Sequence, residues 1–456
     1  MAAISPARKA AFEILLAVER GKAHSDDLLR GKEVNALSSV DRNLTTTLVL
    51  GVLRWQILLD DQTRLLLKRP RGKLDAEVLI ALRMGAFQLR FLNRIPAHSA
   101  IDESVELTKQ SGHRFAAGMV NAVLRSIARM APPLQASEET PGELALTQAH
   151  PAWMVNRWAE FYGLEAAPAI CRHGQSQPPL SVRIDCPASE DELIAEGIQL
   201  QPGALLAAAR TVSAGDVTAT AAFRQGRARV QDEGSQLIGE LAACPGANPG
   251  QKARSILDTC AAPGGKTLIL AERNPEARIV ACESNPQRLA QMRERLAAHA
   301  ARVEFRLADA AALEERGVFD FALADVPCSG TGTLGRNPEI RHRVQLEDLA
   351  RHAERQRAIL LAALRAVRPG GQVLYSTCSL EPEENEQVIA AVLRENPGAR
   401  PVSLASGIEA LDRAAILASG AAERLHKCLT PEGALRLLPG AFATDGFFVA
   451  LIERTA

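Results

Sequence analysis

The chain has no run of apolar residues approaching the ~18 that a membrane-spanning helix requires. Its first residues, Met-Ala-Ala-Ile-Ser-Pro-Ala-Arg-Lys, lack the apolar core and small-residue cleavage site of a secretory leader. A cytoplasmic location is therefore expected, with no membrane partner. Eight cysteines are present but no two form C-x-x-C, and the nine histidines show neither H-x₃₋₅-H nor H-E-x-x-H. No metal is expected. Disulfides are not expected in a cytosolic chain of 456 residues, so most of the cysteines read as small buried apolar residues. Net charge is missing as well: 53 Lys and Arg balance 53 Asp and Glu, which argues against a wholly basic nucleic-acid coat.

That balance hides an asymmetry. Residues 1–130 carry 20 basic and 13 acidic side chains, a basic front that fits a module touching phosphates; an ordinary solvated helical surface is the alternative. The length predicts two or three domains. Residues 1–140 read as all-α, with Phe12, Leu15, Leu16 and Val18, then Leu44, Leu48 and Leu53, then Val120, Val123, Leu124 and Ile127 near helical spacing. Ala131–Pro141, rich in proline and polar residues, reads as a linker. Residues 141–225 read as a small α+β domain, with a helix at Trp153–Tyr162 and a strand at Leu180–Ile184.

From 226 to 456 strands and helices alternate. Strands are predicted at Ser255–Thr259, Arg278–Cys282, Val303–Leu307, Phe319–Ala324 and Gln372–Ser376, with helices at Pro286–Ala298 and Leu346–Val367. A closing strand pair, Leu435–Leu438 and Phe447–Ile452, is compatible with an antiparallel edge. Helical crossovers between strands imply a doubly wound parallel sheet.

The first of these strands runs into Asp258-Thr-Cys-Ala-Ala-Pro-Gly-Gly-Lys-Thr267, where such a sheet binds nucleotide-like ligands. Gly264 and Gly265 allow close backbone approach, and the following helix offers unpaired N–H groups. Cys260 stands where a Walker A loop needs glycine, and no G-x-G-x-x-G is present. Glu283 ends the second strand, as an acceptor for ribose hydroxyls would. Asp309 ends the third, where a carboxylate can accept from an adenine amine. Helix capping is the alternative for both.

The fourth and fifth strands end in Asp325-Val-Pro-Cys328 and Ser376-Thr-Cys378. If these strands are neighbours, Cys328 and Cys378 face one cleft; buried structural cysteines are the alternative. Two thiols there suit methylation at carbon 5 of cytosine. Thiolate addition to carbon 6 turns the ring into an enamine whose carbon 5 can attack a methyl sulfonium, while Asp325, protonated or sharing a proton, could hold ring nitrogen 3.

With Val230-Gln-Asp-Glu-Gly-Ser-Gln236, the Cys260–Lys266 loop, Asp325–Cys328, Thr377-Cys-Ser-Leu-Glu-Pro-Glu-Glu-Asn-Glu386 and Asp445-Gly-Phe-Phe448, the chain resembles RNA 5-methylcytosine methyltransferases of the bacterial ribosomal RNA small-subunit methyltransferase B type. The resemblance covers almost the whole chain. It implies a Rossmann-like class I methyltransferase domain using S-adenosyl-L-methionine. Cys378 would be the nucleophile and Cys328 the promoter of product release, with cofactor contacts at Cys260, Ala261, Ala262, Pro263, Gly264, Gly265, Lys266, Glu283, Asp309 and Asp325. It also implies 16S ribosomal RNA, free or in a partly assembled particle, as partner, and a monomer is expected.

The front looks like the RNA-binding NusB fold, through Asp41-Arg-Asn-Leu, Gly51-Val-Leu-Arg-Trp55 and Val120-Asn-Ala-Val-Leu-Arg125. Two positions depart from the family pattern: Glu283 stands where aspartate is usual, and His342 where a tryptophan is common, which bears on base stacking there. A noncatalytic RNA-binding factor with a relic methyltransferase domain is the competing reading, against which intact Cys378, Cys328 and loop stand. A DNA enzyme would leave Cys378 and the basic front unexplained.

Overall fold

A computed structural model describes residues 4–69, 72–130, 140–244 and 253–455. Of the linker expected at Ala131–Pro141, residues 131–139 lie outside the described residues. The chain divides into two compact units, Met1–Gln177 with Leu334–Arg343, and Pro178–Thr333 with Val344–Ala456.

The first unit is helical. Its principal helices are Pro6–Glu19, Ser39–Leu66, Ala76–Phe91, Ala97–Gln110 and Ala117–Ile127. Pro6 presets the first turn, and the Ser38 hydroxyl accepts from the Asp41 N–H at 3.1 Å to cap the longest helix. Phe12, Leu15, Leu48, Val52, Leu59, Leu82, Met84 and Leu124 recur at helical spacing and fill one core. Helices Pro141–Thr147, Ala152–Tyr162 and Ala166–Gln175 belong to this same unit. The segment 141–225 is thus shared between the two units.

The segment Leu334–Arg343 also lies in the helical unit, although it directly follows the Cys328 loop in sequence. Buried Arg341 donates to the carbonyls of Arg54, Ala149 and Gly174 at 3.0, 3.0 and 2.9 Å. Ser25 donates to the Glu339 carboxylate through its N–H at 3.1 Å and its hydroxyl at 2.8 Å. His342 Nε2 lies 2.8 Å from the Leu53 carbonyl. A carbonyl only accepts, so Nε2 carries the proton. Burial lowers this imidazole to about 4, so it is neutral. His342 is a half-buried anchor here, its ring nitrogen turned toward a carbonyl.

The second unit holds two sheets. β1 (Leu180–Ile184), β2 (Gln199–Pro202), β3 (Ala209–Ala214) and β4 (Ala228–Val230) form an antiparallel sheet in the order β2-β3-β1-β4. Val182, Ile184, Leu193, Ile198 and Val217 make its core. The larger sheet contains β5 (Ser255–Asp258), β6 (Arg278–Glu283), β7 (Val303–Leu307), β8 (Phe319–Asp325), β9 (Val367–Thr377), β10 (Ala399–Val402), β11 (Leu435–Leu437) and β12 (Phe447–Arg454). Its order is β10-β12-β9-β8-β5-β6-β7, with β11 also paired to β12.

The five strands from β9 to β7 are parallel. Adjacent residues bury on opposite faces: Ile256, Ile279, Phe321 and Leu374 in one layer, Leu257, Val280, Ala322 and Val373 in the other. This is the pattern of a sheet covered on both sides. The closing pair, β11 and β12, does run antiparallel at that end of the sheet, with β12 an inner strand antiparallel to both β9 and β10. The physical reason is composition. Phe447–Ile452 is apolar on both faces and buried throughout, whereas β10 carries Pro401, which has no N–H to give and suits an edge.

Buried Glu240 ties the smaller sheet to the helix Gly265–Arg273 that follows β5, accepting from Arg183 of β1 at 2.6 Å and from Arg273 at 2.8 Å. Strand order turns around at β5, which has β6 on one side and β8 on the other. A crevice at the carboxyl ends of the strands follows from that reversal.

Candidate active site

The Cys260–Lys266 loop joins β5 to the helix Gly265–Arg273. Gly264 caps this helix with φ 95°, and no side chain bonds the first turn. A Cβ at Gly264 would lie 2.5 Å from Leu296 Cδ1, so glycine is needed for both conformation and space. The uncapped helix start leaves N–H groups open to an anionic ligand group. Beneath the loop, buried Asp258 accepts from the Thr267 hydroxyl at 2.8 Å, while its Oδ1 has no well-formed hydrogen bond. Burial raises this carboxyl to about 7, the Thr267 bond opposing and the Asp325 charge adding. The Gln231 carboxamide would lie 3.2 Å from a Cβ at Gly265, which gives the Val230–Gln236 segment a place at the loop. The open helix start, the under-bonded Asp258 and the crowded Gly264 together fit a cradle for a polar, nucleoside-like group.

Acidic residues stand along the strand ends beyond this loop. Glu283, at the end of β6, accepts from the Asn285 N–H at 2.8 Å and pairs with Arg288 at 3.3 Å. Asp309, after β7, accepts from the Ala311 N–H at 3.1 Å and from Arg355 at 3.2 Å. The capping alternative therefore holds for one Asp309 oxygen, and Asn285 performs the capping next to Glu283. Among the described residues no hydrogen bond or ion pair links Glu283 or Asp309 to the two cysteines.

On the other side of β5, the sequence-predicted residues converge. Lys266 Nζ lies 2.7 Å from Asp325 Oδ2, and the Ser376 hydroxyl donates to Asp325 Oδ1 at 2.7 Å. Burial opposes the Lys266 charge. The Asp325 carboxylate outweighs it by charge and hydrogen bond, charge on Cys378 adds, and the ammonium sits above its ordinary range. Asp325 is thus held on both oxygens, by the Lys266 ammonium on one and the Ser376 hydroxyl on the other.

Cys328 Sγ and Cys378 Sγ are 3.3 Å apart, and both cysteines are free. The hydrogen bond to Cys378, then burial, hold the Cys328 thiol well above the usual range. Cys328 therefore keeps its proton. Burial likewise pushes Cys171, Cys260 and Cys282 up to about 12, which makes them inert thiols.

The two cysteine loops are joined through backbone. Val326 N–H donates to the Ser376 carbonyl at 3.0 Å, Gly332 N–H to the Cys378 carbonyl at 2.9 Å, and Gly446 N–H to the Gly332 carbonyl at 2.8 Å. Leu380 N–H donates to the Thr331 hydroxyl at 2.9 Å. Sequence reasoning singled out the cysteines but gave no role to Gly332, Ser329, Ser379 or Glu384 around them. Their signal in the sequence is a serine after each cysteine and a glutamate in the second motif, without any sign of how they pair.

Comparison with known proteins matches three segments of the chain. Residues 247–453 match the family 16S rRNA methyltransferase RsmB/F, residues 5–129 the NusB family, and residues 150–213 the ferredoxin-like domain of RsmF/B-like methyltransferases. The probable ribosomal RNA small subunit methyltransferase B of Bacillus subtilis is 33% identical, over 98% of this chain and 98% of its own. The ribosomal RNA small subunit methyltransferase B of Pseudomonas putida is 35% identical, over 88% of this chain and 91% of its own. The crystal structure of PH0851 shares the fold with a TM-score of 0.78 at 23% identity, over 99% of each chain. Similarity that runs through the helical front, the small sheet and the doubly wound domain alike makes this chain a member of the RsmB/F methyltransferase family.

Proposed function

We propose that the chain transfers a methyl group from S-adenosyl-L-methionine to carbon 5 of a cytosine in 16S ribosomal RNA, through a covalent adduct on Cys378. The reading is carried by the 3.3 Å separation of the Cys328 and Cys378 sulfurs at the ends of neighbouring parallel strands, beside the Lys266–Asp325 pair. In the proposed plan, residues 1–140 bind RNA, 141–225 form the linker and middle domain, and 226–456 carry out the chemistry. The chain acts as a monomer in the cytoplasm.

Glu283 receives the ribose hydroxyls, Asp309 the adenine amine, and the Cys260–Lys266 loop the amino-acid end. When bound, the donor supplies an electrophilic methyl on a sulfonium. The sheet order β9-β8-β5-β6-β7 supports this assignment, since it sets the acids on one side of the loop and the cysteines on the other.

The Cys378 thiolate adds to carbon 6, and the ring's electron pair becomes available at carbon 5, which takes the methyl. The negative charge that develops around ring nitrogen 3 is met by the proton that Lys266 holds against Asp325. Release then requires that carbon 5 lose its proton to water. The C–H pair forms the 5,6 double bond, and the carbon 6–sulfur bond breaks with its pair on Cys378. Cys328, still protonated and 3.3 Å away, passes its proton to that sulfur and regains one from solvent. The target cytosine must be unpaired or flipped out to reach both sulfurs.

Transfer of labelled methyl from S-adenosyl-L-methionine to ribosomal RNA, followed by bisulfite mapping, tests the reading. We expect label in 5-methylcytosine at a discrete position. Label on another base, or none in RNA, would overturn it.

A further inference from the structure

Glu384 lies under both cysteine loops and is fully buried. Its Oε1 accepts from the Ser329 N–H at 2.8 Å and from Gln356 Nε2 at 2.9 Å. Its Oε2 accepts from the hydroxyls of Ser329 and Ser379, whose oxygens are 3.0 Å apart. Ser329 follows Cys328 and Ser379 follows Cys378 in sequence. Among the described residues no lysine, arginine or histidine forms an ion pair with Glu384. A buried carboxylate held only by neutral donors is a costly choice for stability alone. Gln356 is itself tied to the Cys328 loop, donating to the Pro327 carbonyl at 3.0 Å.

We propose that Glu384 is a positioning residue for the release step: by gripping the serine beside each cysteine, it sets the Cys328 sulfur against the Cys378 sulfur. The inference rests on the two-cysteine reading above. The backbone bonds between the loops fix their approach to each other. Glu384 fixes the rotation that turns one sulfur toward the other, because it holds the residue next in line on both sides. Its negative charge also helps to keep the proton on Cys328, the proton that the departing Cys378 sulfur must receive.

The experiment follows the covalent RNA–protein adduct on denaturing gels, together with single-turnover methyl transfer and melting temperature, in the full chain. Glu384→Gln keeps the shape but offers only one acceptor oxygen. We expect release of methylated RNA to slow about tenfold or more, the effect of losing a charge-assisted hydrogen bond, with adduct accumulating and single-turnover methyl transfer near the wild-type rate. Cys328→Ala is run beside it and should accumulate the same adduct. If it does not, the two-cysteine reading fails. If Cys328→Ala accumulates adduct and Glu384→Gln releases RNA at the wild-type rate, only the positioning role falls. Should Glu384→Gln not fold, the double variant Ser329→Ala, Ser379→Ala decides. It leaves Glu384 in place and removes both hydroxyl contacts, so slowed release with adduct upholds the role, and wild-type release refutes it.

Discussion

Replacing Gly332 by alanine probes how tightly the two cysteine loops are set. An added Cβ would lie 2.5 Å from the Gly446 carbonyl oxygen and 2.8 Å from that of Cys378. Both obstacles are backbone, and Gly332 is itself hydrogen-bonded to both residues, so no side-chain rotation relieves the clash. Regaining ordinary separation moves the Cys378 carbonyl, or the Cys328 loop, by about 1 Å. A reacting group displaced by ~1 Å loses about a hundredfold in rate, and overpacking of this kind costs about 1–3 kcal/mol of stability. Labelled methyl transfer gives the rate, calorimetry the affinity for S-adenosyl-L-methionine, and thermal unfolding the stability. We expect kcat to fall about a hundredfold and melting to drop, while donor affinity holds because the Gly264 loop is untouched. Gly118→Ala is the control, since nothing lies within 4 Å of its added Cβ. Wild-type turnover in Gly332→Ala would refute the loop-setting argument.

The remaining predictions concern buried charge. Asp258 titrates at about 7 in the folded chain, above its ordinary value of 3.8. Its contribution to stability is therefore full below about 3.8 and is lost as pH rises through about 7. Asp258→Asn should gain on the wild type across that window by up to about 4 kcal/mol and run parallel to it above. Melting curves from pH 4 to 8 that stay parallel throughout would contradict this. Arg341→Met should lower the melting temperature by several degrees. It leaves three carbonyls in the helical unit without their donor, each at a cost of about 1 kcal/mol or more; an unchanged melting temperature would show that the Leu334–Arg343 segment is not anchored there.

Much of the doubly wound domain was legible because its signals are local. Ser255–Asp258 and Phe319–Asp325 are short apolar runs broken by helical segments, and Cys328 and Cys378 each follow such a run. Adjacent strand ends then bring them together without further information. What escaped the sequence depends on distant partners. β2 and β3 are polar and half-exposed, so no apolar alternation marks them. β10 is four residues with a proline, recognisable only once β12 is beside it.

Glu384 read as one more acidic residue because its partners Ser329 and Gln356 are 55 and 28 residues away. From sequence, His342 reads only as standing at a base-stacking position, and Arg341 is given no role. Their carbonyl partners in the helical unit lie between 167 and 289 residues distant, too far for local pattern to show. The sharing of 141–225 between two units has the same cause, since helix-to-helix packing over such separations leaves no trace in local periodicity.

In the proposed mechanism two sulfurs divide the work, one bonding to the base and the other letting it go. The most direct measurement is denaturing electrophoresis of Cys378→Ala and Cys328→Ala after incubation with S-adenosyl-L-methionine and ribosomal RNA. We expect Cys378→Ala to form no covalent adduct and no product, and Cys328→Ala to accumulate methylated RNA joined to protein. Adduct in Cys378→Ala, with none in Cys328→Ala, would reverse the roles and contradict the account.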